Sequence, residues 1–200
     1  MSDFIIGVDE VGRGSLVGSV IICAFRSKNA LFDLLPFSVK DSKKINKKQR
    51  ESIYNYFHEN KNLNCSYQIT FGKKRDIEEL NIHKVVLQSM STAVKAISKP
   101  SDKIIIDGNF VPEDLKEFQV SSLIKADDKI NQVSVASIIA KVFRDKLISR
   151  LHFFENKYGW NKNAGYGTKN HLEAINKYGI SPFHRKTYQP ISRLIKELST

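Results

Sequence analysis

Apolar runs near the start of the chain predict two buried strands. Residues 4–8 form one continuous run that ends in Asp9 and Glu10, and residues 20–25 form a second. Runs of this kind are typical of strands that are covered on both faces. Because the stretch between them is too short for a crossover, we expect these two strands to be antiparallel.

A third strand and two helices follow in the pattern. Residues 63–71 alternate between apolar and polar side chains, which is the period of a strand with one wet face. Ahead of that strand, Asn46 and Gln49 have the spacing of a capping box and predict the start of a helix. Asp76 and Glu79 repeat this spacing and predict a second helix, which ends before Pro100. Its core-facing positions are Leu80, Val86, Met90, Ala93 and Ile97.

The remaining strands come before a helical second half. Residues 104–106 are a short apolar strand that ends in Asp107, and residues 120–125 are predicted as a fifth strand. A long helix is expected from about Asn131, then a loop over residues 159–167, a helix over residues 168–177 and a last helix whose first turn holds Pro190. The order favours an α/β or α+β core with a helical region at the back.

Charge narrows the possible partners of the protein. The 200 residues include 32 Lys and Arg against 21 Asp and Glu, which leaves a formal net charge of +11. Residues 141–200 hold 12 basic and only 4 acidic side chains, so most of the excess lies in the helical region. A field of this strength concentrates polyanions. A solubilising surface explains the same charge equally well.

Cysteine use and apolar run lengths exclude other classes. The two cysteines, Cys23 and Cys65, form no C-x-x-C pair, which excludes a disulfide framework or a zinc ribbon and favours a reducing compartment. No run approaches the ~18 apolar residues of a membrane span, and the first residues lack a basic signal-peptide region. We therefore expect a cytoplasmic protein without a membrane partner.

The carboxylates at strand ends are the main candidates for chemistry. Asp9, Glu10, Asp107 and Asp127 each lie at or just past a strand or at a strand-to-helix junction, where open α/β sheets place their ligand sites. If the strands are neighbours, like charges meet over an apolar core, and a hard divalent cation with oxygen ligands relieves their repulsion. Each acid could instead cap a helix or face water, and for Asp127 and Asp128 helix capping is the simpler explanation.

Strand geometry limits how Asp9 and Glu10 reach one site. Adjacent residues of a regular strand point to opposite faces. We therefore expect the strand to stop at Asp9, so that Glu10 turns with the glycine loop that follows it.

Several motifs, in order, resemble those of ribonuclease HII, the type 2 ribonuclease H family. They are GVDEVGRG at 7–14 with Leu16 and Gly18, DSKK at 41–44, IDGN at 106–109, ASIIAKV at 136–142 with Arg144 and Asp145, GYGT at 165–168 with His171, and His184-Arg185. The chain departs from the family at Ser15 and Ser19, where proline is frequent, and at Ala126, where glycine usually precedes the aspartate. These departures concern loop geometry and leave every acid in place.

The resemblance implies a fold and a domain organisation. The fold expected is ribonuclease H-like, with a five-stranded mixed sheet flanked by helices and a C-terminal helical region. Residues 1–200 would form a single domain, with an α/β catalytic core over 1–149 and a helical region over 150–200.

The resemblance also implies an activity. Asp9, Glu10, Asp107 and Asp127 would be catalytic acids that bind two Mg²⁺ or Mn²⁺ ions. The enzyme would hydrolyse the RNA strand of RNA/DNA hybrids and cleave at ribonucleotides embedded in duplex DNA, leaving 5′-phosphate and 3′-hydroxyl ends. This implies a part in ribonucleotide and primer removal during replication and repair. Alignment on Ala136-Ser137 selects Asp127 over Asp128 as the fourth acid.

Substrate recognition in this family depends on sensing the 2′-hydroxyl of RNA. The resemblance assigns this to the backbone of Gly12, Arg13 and Gly14, with Tyr166 packing on the sugar at the RNA-to-DNA junction. Taken alone, a loop tyrosine is more often a half-buried anchor. Candidates for phosphate contacts, whose signature is salt-dependent affinity, are Ser42, Lys43, Lys141, Arg144 and Arg185.

Other functions explain fewer of these residues. A non-catalytic nucleic-acid-binding module would not need the complete set of acids, and a dinucleotide-binding fold would need a different glycine spacing after the first strand. Tyr158 and Trp160 could stack on bases, but core packing is the simpler expectation. The five histidines lack metal-ligand spacing, so we expect no zinc site. We expect a monomer, and the residues do not identify a replication-clamp partner.

Overall fold

The computed structural model of the chain describes residues 3–39, 45–60 and 62–197. Two of the predicted phosphate contacts, Ser42 and Lys43, lie outside these ranges. None of the helices within them is both long enough and apolar enough to cross a membrane.

A five-stranded mixed sheet forms the centre of the molecule, as predicted. Its strands are β1 (Phe4–Val11), β2 (Val20–Lys28), β3 (Cys65–Gly72), β4 (Lys103–Asp107) and β5 (Gln119–Leu123), in the spatial order β3-β2-β1-β4-β5. Strand β2 runs antiparallel to both of its neighbours, β1 and β3, whereas β4 runs parallel to β1 and β5 runs parallel to β4. The antiparallel pairing expected for the first two strands is confirmed.

Seven helices flank or follow the sheet in the described residues. They are α1 (Lys47–Glu59), α2 (Lys74–Leu80), α3 (Ile82–Ile97), α4 (Asn131–Phe154), α5 (Trp160–Asn163), α6 (Lys169–Tyr178) and α7 (Ile191–Glu197). Helix α1 begins as predicted, because the side chains of Asn46 and Gln49 each accept the other residue's backbone N–H. Short 3₁₀ turns include one at Ala126–Asp128, just before α4.

The second predicted helix is two helices, and the capping box expected at Asp76 is wrong. Helix α2 begins at Lys74 and ends at Leu80, and Asn81 then takes a φ of 74°. Its Oδ1 accepts the backbone N–H groups of His83 at 2.9 Å and Lys84 at 3.1 Å, which caps the start of α3. Asparagine tolerates positive φ and caps helices well, so it can do both at one residue. Asp76 instead lies in the first turn of α2.

Strand β2 divides the core into two layers because its alternate side chains point to opposite faces of the sheet. Val20, Ile22 and Ala24 pack with α3 in one cluster, together with Ile104 and Ile106 of β4. Ile21, Cys23 and Phe25 pack with α1 and α4 on the other face. Both faces of the central strands are therefore covered, which explains their continuous apolar runs.

A third cluster joins the helical region to the connection between β1 and β2. Leu16 and Val17 of that connection are buried with Trp160, Ile175 and Ile191. The segment over 159–167, predicted as a loop, contains the short helix α5, whose Trp160 is fully buried. Core packing is thus the role of Trp160, as expected. The division at 149/150 stays a prediction, and α4 continues through that point to Phe154.

Helix α4 approaches β1 unusually closely at Gly7. A Cβ atom at this position would overlap backbone atoms of Gln132 and Val133 in the first turn of α4. Since both partners are backbone, neither can move aside as a side chain could. The absence of a side chain at Gly7 therefore sets the distance between the longest helix and the central strand.

We expect Gly7→Ala to lower the free energy of unfolding by about 3 kcal/mol or more, because overpacking here pushes two backbones apart. Urea unfolding followed by circular dichroism measures this change. Gly14→Ala is the matched control, since a Cβ at position 14 meets no atom within 4 Å in the part of the chain that the structure describes. Equal stability of the two variants would contradict the close approach of α4 to β1.

Candidate functional site

Asp9 and Glu10 lie inside β1, which corrects the expectation that the strand stops at Asp9. The strand continues to Val11 because β2 pairs with it over its whole length, with Asp9 opposite Cys23 and Glu10 opposite Ile22. Asp9 therefore lies on the sheet face covered by α1 and α4, and Glu10 lies on the face covered by α3. The two acids approach the end of the sheet from opposite faces.

Asp107 ends the neighbouring strand and connects it to the turn that carries Asp127. Strand β4 pairs with β1 up to Val8 opposite Ile106, so Asp107 comes next in register beside Asp9. Its Oδ1 accepts the backbone N–H of Ala126 at 2.7 Å. This contact holds the 3₁₀ turn Ala126–Asp128 at the end of β4. Within the turn Asp127 is 4% exposed, whereas Asp128 is exposed.

The first three acids interact electrostatically. Burial raises the pKa of Asp9 well above its usual value, a hydrogen bond from Ser137 of α4 opposes this, and the charges of Glu10 and Asp107 raise it further. Burial also raises the pKa of Glu10, partly offset by Arg13, whose Nη1 lies 3.3 Å from Glu10 Oε1. Buried like charges at one strand end disfavour full ionisation unless a cation is present.

The ligand types in this cluster suit a divalent cation, but the carboxylates are not arranged as a complete coordination site. Glu10 Oε2 is buried and has no hydrogen-bond partner among the described residues. Carboxylate oxygens are the ligands that Mg²⁺ and Mn²⁺ prefer. In the part of the chain that the structure describes, however, no three His, Cys, Asp or Glu side chains are arranged as a closed metal-binding group. The acids are gathered at one edge of the sheet without forming a preformed cage.

The Gly12–Gly14 loop follows β1 and rests on Arg144 of α4. Gly12 has a φ of 96°, and a Cβ there would overlap the Arg144 side chain. The guanidinium of Arg144 is fully buried and donates from Nη1 to the Ala164 carbonyl at 2.9 Å and from Nη2 to the Val17 carbonyl at 3.3 Å. Burial lowers the pKa of Arg144. Only glycine at position 12 leaves room for this arrangement.

Arg185 holds the same loop from the other side. It is also fully buried, and it donates from Nε to the Gly18 carbonyl and from Nη1 to the Arg13 carbonyl, both at 2.8 Å. Burial lowers its pKa to about 10. The hydroxyl of Tyr188 donates to the Arg13 carbonyl as well, at 2.8 Å.

The prediction that Arg144 and Arg185 contact phosphates does not agree with this placement. A phosphate contact requires an accessible cation, and both guanidinium groups are enclosed and bound to backbone carbonyls. Their role in the structure is to fix the loops around the acids. Lys141 remains accessible on α4, where it is paired with Asp145 at 2.8 Å and is about one third exposed.

Tyr166 lies on a second loop that is fastened to the first. The Gly165 carbonyl accepts the Leu16 N–H at 2.9 Å and the Ser15 hydroxyl at 3.0 Å. Ser15, one of the departures from the family pattern, is fully buried, so its hydroxyl links the two loops from inside. The Tyr166 ring is half-buried with the Arg144 guanidinium 5.5 Å from its centre. The structure thus brings the two predicted recognition loops together.

A buried pair of imidazoles supports the Tyr166 backbone. His184 Nδ1 accepts the Ser181 N–H at 2.9 Å, so its proton lies on Nε2, which faces His171 Nε2 at 3.2 Å. Trp160 Nε1 also donates to His171 Nε2, at 2.9 Å. His171 Nδ1 therefore carries the proton and donates to the Tyr166 carbonyl at 2.9 Å. Both imidazoles are therefore neutral, and each donates from one ring nitrogen and accepts at the other.

Sequence reasoning missed several residues that shape this site. The patterns do not indicate that Ser137 contacts Asp9, that Tyr188 contacts Arg13, or that Trp160 contacts His171. The signal for Ser137 was its small size on the sheet-facing side of α4. Tyr188 has no comparable signal, because its contact joins residues 175 positions apart.

Comparison with known proteins gives a consistent result over nearly the whole chain. The family model described as Ribonuclease HII matches residues 6–191. The chain is 43% identical over 189 residues to Ribonuclease HII of Pelagibacter ubique, covering 94% of this chain and 97% of that protein. It is 38% identical over 191 residues to Ribonuclease HII of Neisseria meningitidis serogroup B, covering 96% and 95%.

Solved structures show the same fold. The ribonuclease H2 of Pyrococcus horikoshii OT3 superposes with a TM-score of 0.79 at 25% identity, covering 98% of this chain and 99% of that one. The Archaeoglobus fulgidus protein solved as a PCNA:RNase HII complex superposes with a TM-score of 0.78 at 22% identity, covering 93% and 95%. A Bst-RNase HIII solved in complex with Mn²⁺ has a TM-score of 0.69 at 19% identity, covering 97% and 70%.

The imidazole pair predicts a loss of stability in acid. Burial, together with the nearby His171, lowers the pKa of His184 from 6.5 to about 4. The unfolded state therefore binds more protons between these values, and the free energy of unfolding falls as the pH falls from about 6.5 to 4. We expect wild type to lose about 2 kcal/mol more than His184→Asn between pH 7 and 4.5 in urea unfolding. His58→Asn, at an exposed histidine of α1, is the control, and its free energy of unfolding should fall by as much as that of wild type. Equal decreases in all three proteins would contradict the prediction.

Proposed function

Because this chain belongs to the ribonuclease HII family, we propose that it is an endonuclease that cleaves RNA in RNA/DNA duplexes and at single ribonucleotides embedded in duplex DNA. Family membership identifies a divalent-metal-dependent hydrolase of the ribonuclease H class. The finer statements below, on substrate, metal and residues, are part of the proposal.

One observation carries the proposal. Asp9, Glu10 and Asp107 lie at the same end of two parallel neighbouring strands, where burial raises the pKa values of Asp9 and Glu10 and the charge of Asp107 raises both further. The 3₁₀ turn with the buried Asp127 is fastened to Asp107 beside them. A cluster of buried acids is unfavourable for stability alone. Binding of divalent cations explains why the fold would retain it.

Asp9, Glu10, Asp107 and Asp127 would hold the metal, which we propose to be Mg²⁺ or Mn²⁺. When bound, the metal supplies an activated water and stabilises the charge of the leaving 3′ oxygen, giving 5′-phosphate and 3′-hydroxyl ends. The protein supplies the positions of these acids. Ser137 hydrogen-bonds Asp9, the Ala126 N–H orients Asp107, and Arg13 partly neutralises Glu10.

Burial supports Asp127 over Asp128 as the fourth ligand. Asp127 is buried in the turn, whereas Asp128 is exposed. Ala126, where the family usually has glycine, packs its methyl group with Ile105 and Val133 and leaves the turn closed. The substitution therefore adds apolar contact without moving the turn away from Asp107.

Recognition of the 2′-hydroxyl would come from the backbone of Gly12, Arg13 and Gly14, and Tyr166 would pack on the sugar next to the cleavage point. Arg13 and Gly14 are exposed, and a Cβ at Gly14 would meet no atom of residues 3–39, 45–60 or 62–197 within 4 Å. The glycine loop and the Tyr166 loop are hydrogen-bonded to each other. The ribose 2′-hydroxyl and the neighbouring sugar would therefore be contacted by two loops that are held together. Lys141, accessible on α4, would contact a phosphate.

The proposed setting follows from the same residues. The partner is a nucleic acid duplex, attracted by the basic surface and bound by one copy of the chain in the cytoplasm. A non-catalytic binding module is the competing function, and it leaves the buried acids without a purpose.

We expect the protein to cleave a labelled DNA duplex with one internal ribonucleotide when Mg²⁺ or Mn²⁺ is added, and not in EDTA. Asp127→Asn should lower the rate by more than about 100-fold, since even residues outside the ligand shell of a metal contribute 10- to 100-fold. Asp128→Asn is the matched control and should retain activity. The opposite result for the two variants would move the fourth ligand to Asp128, and wild-type duplex binding without cleavage would favour the binding module.

Tyr166→Ala should lower cleavage at a single embedded ribonucleotide by about tenfold, because it removes the apolar contact of the ring with the sugar, and a loss of about 1.4 kcal/mol is a factor of ten. The measurement is kcat/KM on that duplex. Tyr178→Ala, at an exposed ring of α6, is the control and should retain wild-type activity. Unchanged kcat/KM for Tyr166→Ala would exclude Tyr166 from substrate recognition.

A further inference from the structure

The carbonyl oxygen of Arg13 receives two hydrogen bonds from the C-terminal region. Arg185 Nη1 and the Tyr188 hydroxyl each donate to it over 2.8 Å. The sequence patterns did not indicate the contact of Tyr188 with Arg13. This carbonyl belongs to the peptide unit between Arg13 and Gly14, in the middle of the glycine loop, and the other polar group of that unit is the Gly14 N–H.

The direction of this carbonyl fixes the direction of the next N–H. In a planar trans peptide the C=O and N–H of one unit point to opposite sides. Since the Arg13 carbonyl points inward to Arg185 and Tyr188, the Gly14 N–H points away from the protein interior. Gly14 is exposed, and no atom of the described residues lies within 4 Å of where its Cβ would be. A backbone donor in the loop that follows Glu10 is therefore directed away from the protein interior.

The two donors are themselves firmly placed. Arg185 is fully buried and is fixed at a second point by the Gly18 carbonyl. The Tyr188 ring packs against both the α3-side core and the C-terminal cluster, and the Arg185 guanidinium lies 5.0 Å from its centre. Two donors on one carbonyl also polarise the peptide, which strengthens its N–H as a donor.

We propose that Tyr188, together with Arg185, is a positioning residue for RNA recognition. Its hydroxyl holds the Arg13–Gly14 peptide so that the Gly14 N–H donates to the 2′-oxygen of the ribonucleotide. This inference rests on the proposed function, because it gives a purpose to the outward direction of the Gly14 N–H. Tyr188 does not touch the substrate and acts only through the peptide.

The test is Tyr188→Phe, which removes one oxygen atom and keeps the ring that packs in the core. Two quantities are measured in one Mg²⁺ assay: kcat/KM for a duplex with one ribonucleotide, and the inhibition constant of the all-DNA duplex of the same sequence. We expect kcat/KM to fall about fivefold, as expected for the loss of one hydrogen bond. The inhibition constant should not change, because the all-DNA duplex has no 2′-oxygen.

Tyr158→Phe is the matched control. It removes a phenol hydrogen bond of the same kind, from Tyr158 to the Gly179 carbonyl at 3.0 Å, in the same C-terminal region. We expect it to lower the melting temperature as Tyr188→Phe does, with both kcat/KM and the inhibition constant unchanged. A loss of kcat/KM in both variants would show that stability, and not peptide orientation, is responsible.

The outcomes separate this inference from the proposed function. If wild type does not cleave the ribonucleotide duplex, the proposed function is wrong and the inference fails with it. If wild type cleaves and Tyr188→Phe has unchanged kcat/KM, only the positioning role is overturned. A parallel weakening of kcat/KM and of all-DNA inhibition would also overturn it, because the effect would not depend on the 2′-oxygen.

Discussion

The contact of helix α4 with strand β1 at Gly7 is the constraint on which the site depends. At that point the two backbones are too close for any side chain, so helix and strand are fixed at one distance. From there they run side by side. The five residue steps from Gly7 to Gly12, just past the end of β1, extend about 16 Å, and the twelve helical steps from Gln132 to Arg144 extend about 18 Å. These matched lengths explain why Ser137 meets Asp9 and Arg144 meets Gly12.

Two parts of the molecule contribute different things to the site. The sheet supplies acids, whose positions follow from strand register and are therefore rigid. Helix α4 and the C-terminal helical region supply buried cations that hold the connecting loops by their carbonyl groups. Arginine suits this role better than lysine, because its planar group donates in several directions at once and stays charged when buried. Arg144 holds two carbonyls from different segments of chain, and Arg185 holds two carbonyls of the connection between β1 and β2.

The sheet and the acids were predictable because their signals are local. An apolar run that ends in an acid predicts a buried strand and the position where it ends. Asp9 and Asp107 were identified as candidates in this way. The length of β1 was not predictable in this way, since its continuation through Glu10 depends on pairing with β2. The role of Arg185 was not predictable either. The sequence shows that this residue is charged, but its burial depends on hydrogen bonds to carbonyls more than 160 positions away, which no local pattern indicates. Asn81 shows a third limit, because one residue can end one helix and begin another.

The burial of two guanidinium groups changes how the net charge of +11 acts on a polyanion. Arg144 and Arg185 add to the field that an approaching duplex experiences at a distance. Neither can exchange a bound phosphate for counterions, because neither is accessible to the duplex or to salt. The ionic-strength dependence of binding counts only cations that release counterions on contact. The two buried guanidinium groups therefore add to the long-range attraction, which salt screens, without adding to the number of counterions that binding releases.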